Sequence, residues 1–426
     1  MSPASRTEVS EVVPSIQEIA RLAVVPEVQA ACEWCSSQEA QIATWQLLLA
    51  AIPAPPFGEA ARAHWLADRF REIGLADVHI DEIGNVFGIQ RGLDPLPKFV
   101  AITAHLDTVF PAGTALQPRR DKAKLYGPGI SDNGAGITAL LAIAAALQTS
   151  RIRHSAPFVF IANVGEEGEG DLRGMRHIFS DPHWSEAIAS TVVVDGAGTD
   201  TIIAEALGSR RFEVEVRGPG GHSWSDFGVP NPIVLLARAI DAFSRTAVNA
   251  VPKTTFNIGV IRGGTSVNSI PQSATMRVDI RSMSCSEIDR LENAMRAALE
   301  RAVAAEGNGP GPRPGQKNSG STEKKSGVQY EVKIIGSRPA GELDSNARIL
   351  RVLRAVDTHL RNSSQVQRAS TDANIPLSMG REAIAIGGGG TGGGAHTINE
   401  WFDCTGRDLG LKRILLLLIA LAGVQG

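Results

Sequence analysis

Apolar residues follow two rhythms along this chain. In the first, three short runs, FVAITAHLDTV, FVFIANVGEEGEG and STVVVDGAG, are apolar almost without interruption, rich in Val, Ile and Phe, and bounded by turn residues. Such runs predict buried parallel strands, because a strand covered on both faces has no need of alternating polar positions. Each run delivers side chains of the metal-binding type at its end: His105 and Asp107, then Glu166 and Glu167, then Asp195. Open α/β sheets gather ligands just beyond the carboxyl ends of their strands, so the recurrence predicts one hydrolytic metal centre.

The second rhythm begins near Leu207 and lasts until about Arg338. Here the order is strand (RFEVEVRG), helix (NPIVLLARAIDAFSRT), two strands (TTFNIGVIRGG and SATMRVDIRS), helix (SEIDRLENAMRAALERAVAAEG) and strand (VQYEVKIIG). That is the split βαβ pattern of ferredoxin-like folds. Its strands alternate, with Phe212, Val214 and Val216 set against Glu213, Glu215 and Arg217, which predicts one face on helices and the other toward solvent or another sheet. An exposed face or edge of this kind is a place for a second subunit to pair. Between the second helix and the last strand, GNGPGPRPGQKNSGSTEKKSG has no apolar period and is expected to be a mobile, solvated loop. No repeat at solenoid periods is present.

Length agrees with two domains, since 426 residues exceed what one core usually organises. A charged fraction of 20% and a net charge of -3 give no electrostatic reason to invoke nucleic acid. MSPASRTEVSEVV lacks the basic and apolar regions of a signal peptide, and the run Ile414 to Ala422 is far shorter than the roughly 20 residues that span a bilayer. A cytoplasmic protein with a buried C-terminal helix and no membrane partner is therefore expected. Cys32 and Cys35 sit in AACEWCSSQEAQIATWQLLLA, a helical pattern that puts both thiols on one face, and no second C-x-x-C completes a zinc knuckle. Core packing is the expectation for them.

In His105-Leu-Asp107 the imidazole is a candidate ligand, and the carboxylate two residues on is placed to hold the ring by a hydrogen bond. Asp132, in LYGPGISDNGAGITALLAIAAAL, falls where a Gly-rich turn enters an apolar helix, as a helix cap, a shared ligand or both. Glu166-Glu167 allows one carboxylate to bind metal while the other moves a proton, the division of labour that a water-activating zinc hydrolase needs.

Taken in order, HLDTV, GPGISDNGAG, GEEGEG, VVVDG and GAHTINEW closely resemble the dinuclear zinc metallopeptidases, the family of peptidase T, glutamate carboxypeptidase, aminoacylase and acetylornithine deacetylase. The resemblance runs from Pro53 onward and is nearest to the peptidase T-like members. It implies an α/β catalytic domain, residues 1–207 and 338–426, built on a mixed sheet with helices on both faces, and an inserted ferredoxin-like lid and dimerisation domain, residues 208–337. It implies two Zn2+ ions, for which Co2+ or Mn2+ can substitute: His105, Asp132 and Asp195 around one, Glu167 and His396 completing the other, with Asp132 bridging. By the same resemblance Glu166 is the general base, Asp107 orients His105, and His222 in RGPGGHSWSDFG reaches the active site of the other subunit of a homodimer. Asn268, Arg281 and Arg338 match lid positions that hold substrate; an Arg there suits a peptide carboxylate.

The loop GGGGTGGGAHTINEW presents His396 and is expected to wall the substrate; without a Walker pattern or G-x-G-x-x-G at a strand-helix junction it does not bind a nucleotide. Two departures from the family pattern stand out. Asn133 follows Asp132 where many relatives carry a second Asp, and Asp195 stands where deacylases and glutamate carboxypeptidases usually carry Glu. The second favours an aminopeptidase or dipeptidase of short peptides. Hydrolysis of N-acyl or N-carbamoyl amino acids, glutamate-type carboxypeptidase activity and a non-catalytic binding role are the alternatives. Lid and metal residues on separate domains also lead us to expect domain closure.

Overall fold

The computed structural model describes residues 15–94, 98–306 and 327–424, and the chain divides into two compact units, Met1–Ala206 with Glu342–Gly426, and Leu207–Gly341. The segment MSPASRTEVSEVV and all of GNGPGPRPGQKNSGSTEKKSG except Gly327 lie outside the described residues.

At the centre of the first unit four parallel strands lie in the order Phe158–Asn163, Phe99–His105, Ile188–Val194, Glu382–Ile386. Antiparallel Val86–Gln90 and Ala76–Ile80 continue the sheet on one side and antiparallel Thr201–Ala206 on the other. In Phe99–His105 and Phe158–Asn163 successive residues serve opposite cores. Val100, Ile102, Phe158 and Phe160 pack in one cluster with the helices Gly134–Ser150 and Arg407–Ala422, while Ala101, Val159 and Ile161 pack in another with Met175, Ile178 and Phe179. Burial on both sides is why these strands carry no polar alternation, and each large apolar side chain so buried contributes about 1.5–3 kcal/mol.

The late apolar run is a buried helix, with Leu415 to Leu418 all enclosed, and among the described residues no helix is long and apolar enough to cross a membrane. The stretch around the two cysteines reads as one helix in the sequence but is two, Pro26–Ser37 and Glu39–Ala50, because the backbone leaves helical geometry at Gln38 (φ -98°, ψ 20°). Val28, Ala31 and Cys35 form the buried stripe of the first. Burial pushes the Cys35 thiol up to about 12, which leaves it an inert core group.

The second unit is a four-stranded antiparallel sheet in the order Thr254–Gly263, Ser273–Ser282, Gly208–Arg217, Gln329–Arg338, the ferredoxin-like order for a βαββαβ chain. Helices Pro232–Ser244 and Cys285–Glu306 cover one face, where Phe212, Val214, Val216, Met276 and Val278 meet Leu235, Leu236, Leu291 and Met295. The other face carries cross-strand ion pairs, Arg277 with Glu213 at 2.8 Å and Arg211 with Asp279 at 3.4 Å.

Candidate metal centre

Parallel register brings the ends of the four central strands to one edge of the first unit's sheet. His105 lies opposite Asn163, three residues before Glu166, and the amide of Asp195 donates to the Ile386 carbonyl at 2.9 Å. Asp132 arrives just ahead of the helix Gly134–Ser150. One carboxylate then faces two imidazoles: Asp132 Oδ1 is 3.1 Å from His105 Nε2, and Asp132 Oδ2 is 3.1 Å from His396 Nε2. Asp195 Oδ1 lies 3.7 Å from His105 Nε2, and Glu167 Oε1 lies 3.0 Å from His396 Nε2.

Three sets of donor atoms therefore converge, each within 4.8 Å: His105, Asp132 and Asp195; Asp132, Glu167 and His396; and His105, Glu166 and Glu167. Donors held about 2.0–2.2 Å from a tetrahedral ion such as zinc stand roughly 3.3–3.6 Å apart, the range that the observed separations bracket. The Nδ1 of His105 lies 3.0 Å from the Asp107 carbonyl; in the neutral ring that a metal requires, an N–H there leaves the Nε2 lone pair facing two carboxylates. That convergence of lone pairs suits a cation between them.

Crowded carboxylates dominate the electrostatics. Burial opposes a charged His105, but its contacts with Asp107, Asp132 and Asp195 outweigh that and hold its pKa well above the ordinary value. Contact with Asp132 first, and with Glu167, lifts His396 to about 9. Burial likewise pushes Asp132 up, yet both histidines more than compensate and its carboxyl lies well below the usual range. Glu167 is raised, mainly by burial.

Behind the donors stands a layer of residues that the sequence did not single out in these roles. Asp107 spends its carboxylate on the amides of Glu166 and Glu167, at 2.9 and 2.8 Å, and its Oδ1 is 3.6 Å from His105 Nδ1. The expected ring-orienting hydrogen bond thus comes from the Asp107 backbone carbonyl. The helix cap is Asn133, not Asp132: its Oδ1 accepts from Gly136 N at 2.9 Å, the reach a cap needs, and from Gly196 N at 3.1 Å, while its Nδ2 donates to Val194 O at 2.9 Å. Asn133 therefore ties the Asp132 turn to both neighbours of Asp195. Arg62, fully buried, donates to the carbonyls of Ile52 and Leu106, and burial brings its pKa down to about 10. Asp372 accepts from Asn163 at 2.7 Å, with burial lifting its carboxyl to about 7. Glu400 accepts from three amides of the 129–132 turn.

A cavity of about 430 Å³ opens beside Asp132 and Asp195, walled by residues 391–395 of the Gly-rich loop. A Cβ on Gly392 would meet Ser131 Oγ at 2.3 Å, so a side chain there would displace the Ser131 hydroxyl beside the Asp132 turn.

Of the remaining expected residues, His222 and Asn268 are neighbours in the second unit: His222 pairs with Ser269 in a short ladder, and Ser223 N donates to Asn268 O at 3.0 Å. The Nδ1 of His222 accepts from the amides of Trp224 and Ser225, which leaves Nε2 as the N–H donor. Arg281 and Arg338 both lie opposite Ser209, at the far end of the strand Gly208–Arg217. At roughly 3.3 Å per residue, about 25 Å of strand separates the two pairs. Arg281 is engaged with Asp279 at 2.7 Å, and Arg338 is buried.

A probable carboxypeptidase of Aspergillus clavatus is 30% identical over 239 residues, covering 51% of this chain and 52% of that protein. The chain thus spans about half the length of the curated relatives it matches. Two solved structures share the fold: the aminopeptidase PepT from Bacillus cereus, with TM-score 0.71, 18% identity and coverage of 90% of this chain and 99% of that one, and the Bacillus subtilis YXEP protein, a dinuclear metal binding peptidase, with 0.65, 15%, 91% and 99%. The family model described as peptidase family M20/M25/M40 matches residues 101–419, a stretch that runs from the His105 strand through the His396 loop, and the chain belongs to that family.

Proposed function

We propose that this protein is a metal-dependent hydrolase of peptide or amide bonds, acting as an aminopeptidase or dipeptidase on short peptides. The observation that carries the reading is the pair of donor sets sharing Asp132, with Glu166 beside them. His105, Asp132 and Asp195 would hold one divalent ion, and Asp132, Glu167 and His396 a second; imidazole and carboxylate donors suit zinc, with cobalt or manganese as substitutes. Bound there, the ions would supply Lewis acidity and a lowered water pKa.

The chain's own groups supply the rest. Glu166 is buried, and its amide is fixed by Asp107, so its carboxylate is positioned to take a proton from attacking water and return it to the leaving amine. The Nε2–H of His222 is suited to an oxyanion. Because about 25 Å of strand separates His222 and Asn268 from Arg281 and Arg338, one second unit cannot bring all four to a single short substrate. A homodimer, each subunit lending His222 and Asn268 to the other, resolves that separation.

Carboxypeptidase activity is the second reading, favoured by the names of the curated relatives; Asp195 and the name of the PepT structure favour the first. Hydrolysis of free di- and tripeptides, N-acetyl amino acids and C-terminal glutamate conjugates by zinc-loaded protein, beside a chelator-treated control, decides between them. Chelator-sensitive release of N-terminal residues is expected. Release of C-terminal residues or deacylation alone would move the assignment, and silence across the panel would overturn the hydrolase reading.

A further inference from the structure

We propose that Glu400 is a positioning residue for Asp132, fixing the shared carboxylate relative to His396. The inference rests on the reading of Asp132 and His396 as ligands. Glu400 is completely buried, and a buried carboxylate costs several kcal/mol unless its oxygens are occupied. Here Oε1 accepts from Ser131 N and Asp132 N, each at 2.7 Å, Oε2 accepts from Gly129 N at 2.8 Å, and the Glu400 carbonyl accepts from Gly127 N at 3.0 Å. These distances are those of charge-assisted bonds, roughly twice as strong as neutral ones.

The turn from Gly127 to Asp132 thus has four of its amides gathered on one residue. A turn that needed only its shape could be closed by a neutral acceptor. A carboxylate taking amides on both oxygens fixes the turn's orientation as well as its position, and Asp132 needs both: its two oxygens must each stay 3.1 Å from a different histidine. His396 stands four residues before Glu400, so one short segment supplies a ligand to the second set and the clamp on the residue shared by both. Movement of the His396 loop would carry Asp132 with it.

The test is Co2+ titration of the full-length protein, as wild type, Glu400→Gln and Glu400→Ala, with a chromophoric chelator as competitor and the visible Co2+ absorption as a record of ligand geometry. Gln keeps one acceptor for Ser131 and Asp132 but turns an amide donor on Gly129. We expect affinity to fall about 10-fold in Glu400→Gln and up to roughly 100-fold in Glu400→Ala, the range for residues that orient ligands. The absorption band should be altered, and kcat should drop while KM moves less than about threefold. Folded variants with wild-type affinity and spectrum would overturn the proposal, even if the metal-free protein melted earlier, since that is the signature of a merely structural role. Should Glu400→Ala fail to fold, Glu400→Gln carries the decision alone. Wild-type protein that does not bind Co2+ would overturn the metal reading and this inference together; wild type binding two ions with unaltered variants would overturn the inference only.

Discussion

In the first unit the candidate groups stand at the ends of strands buried on both faces. Asp107, Asn133 and Glu400 lock the backbone on either side of the donors, and His105, Glu166 and Glu167 are all buried. In the second unit His222 stands on a ladder of two residues per strand and Asn268 just ahead of its second strand, beside Trp224 at 87% and Val267 at 103% exposure. One region has paid its ordering cost in folding; the other keeps its polar groups on an open surface, which under the proposed reading a second subunit covers. Preorganisation belongs to the metal centre, and assembly to the His222 side.

The sharpest way to break that comparison is to remove the proton carrier from the rigid side. Glu166→Gln is expected to lower kcat by roughly 10²–10⁴-fold with metal stoichiometry unchanged, by steady-state kinetics and metal analysis. Wild-type turnover in that variant would sink the mechanism. On the open side, His222→Ala should cost about 10²–10³ in kcat, the loss of one oxyanion donor, and leave metal affinity and melting temperature where they were; a loss of bound metal would mean that the two regions are not separable. Asn133→Asp tests the locking layer: a carboxylate oxygen would replace the donor to Val194 O, so about 1–3 kcal/mol of stability should be lost, read by denaturant unfolding. Smallest of all is Arg277→Ala on the charged face, where loss of the exposed pair with Glu213 should alter stability by no more than about 0.5 kcal/mol.

The same contrast governs what could be read from the chain. His105, Glu167 and Asp195 were visible because each closes an uninterrupted apolar run, a signal that lies within a dozen residues. The ferredoxin-like order was visible because Phe212, Val214 and Val216 alternate with charges. Glu400 carried no such signal: its partners are backbone amides about 270 residues away, and amides leave no mark on sequence. Asn133 was noticed only as a departure, and the cap alternative offered for Asp132 overlooked that an Oδ1 reaches an amide three residues on from Asn133. The break at Gln38 was hidden because apolar spacing continues through it. The wide separation of Arg281 from His222 was equally hidden, since it follows from strand register, which emerges only when strands pair.

The fourth parallel strand, Glu382–Ile386, fits between Ile188–Val194 and Thr201–Ala206, although an entire second unit is encoded between them. During synthesis the ribosome must deliver about 180 further residues after Ala206, roughly 10–40 s of elongation, before that gap can close. Leu207–Gly341, whose strands are all contiguous in sequence, can complete its own core in the meantime. Until then the edges of Ile188–Val194 and Thr201–Ala206 that Glu382–Ile386 will join remain unpaired in the nascent first unit, and His396 is the last donor to arrive at the centre.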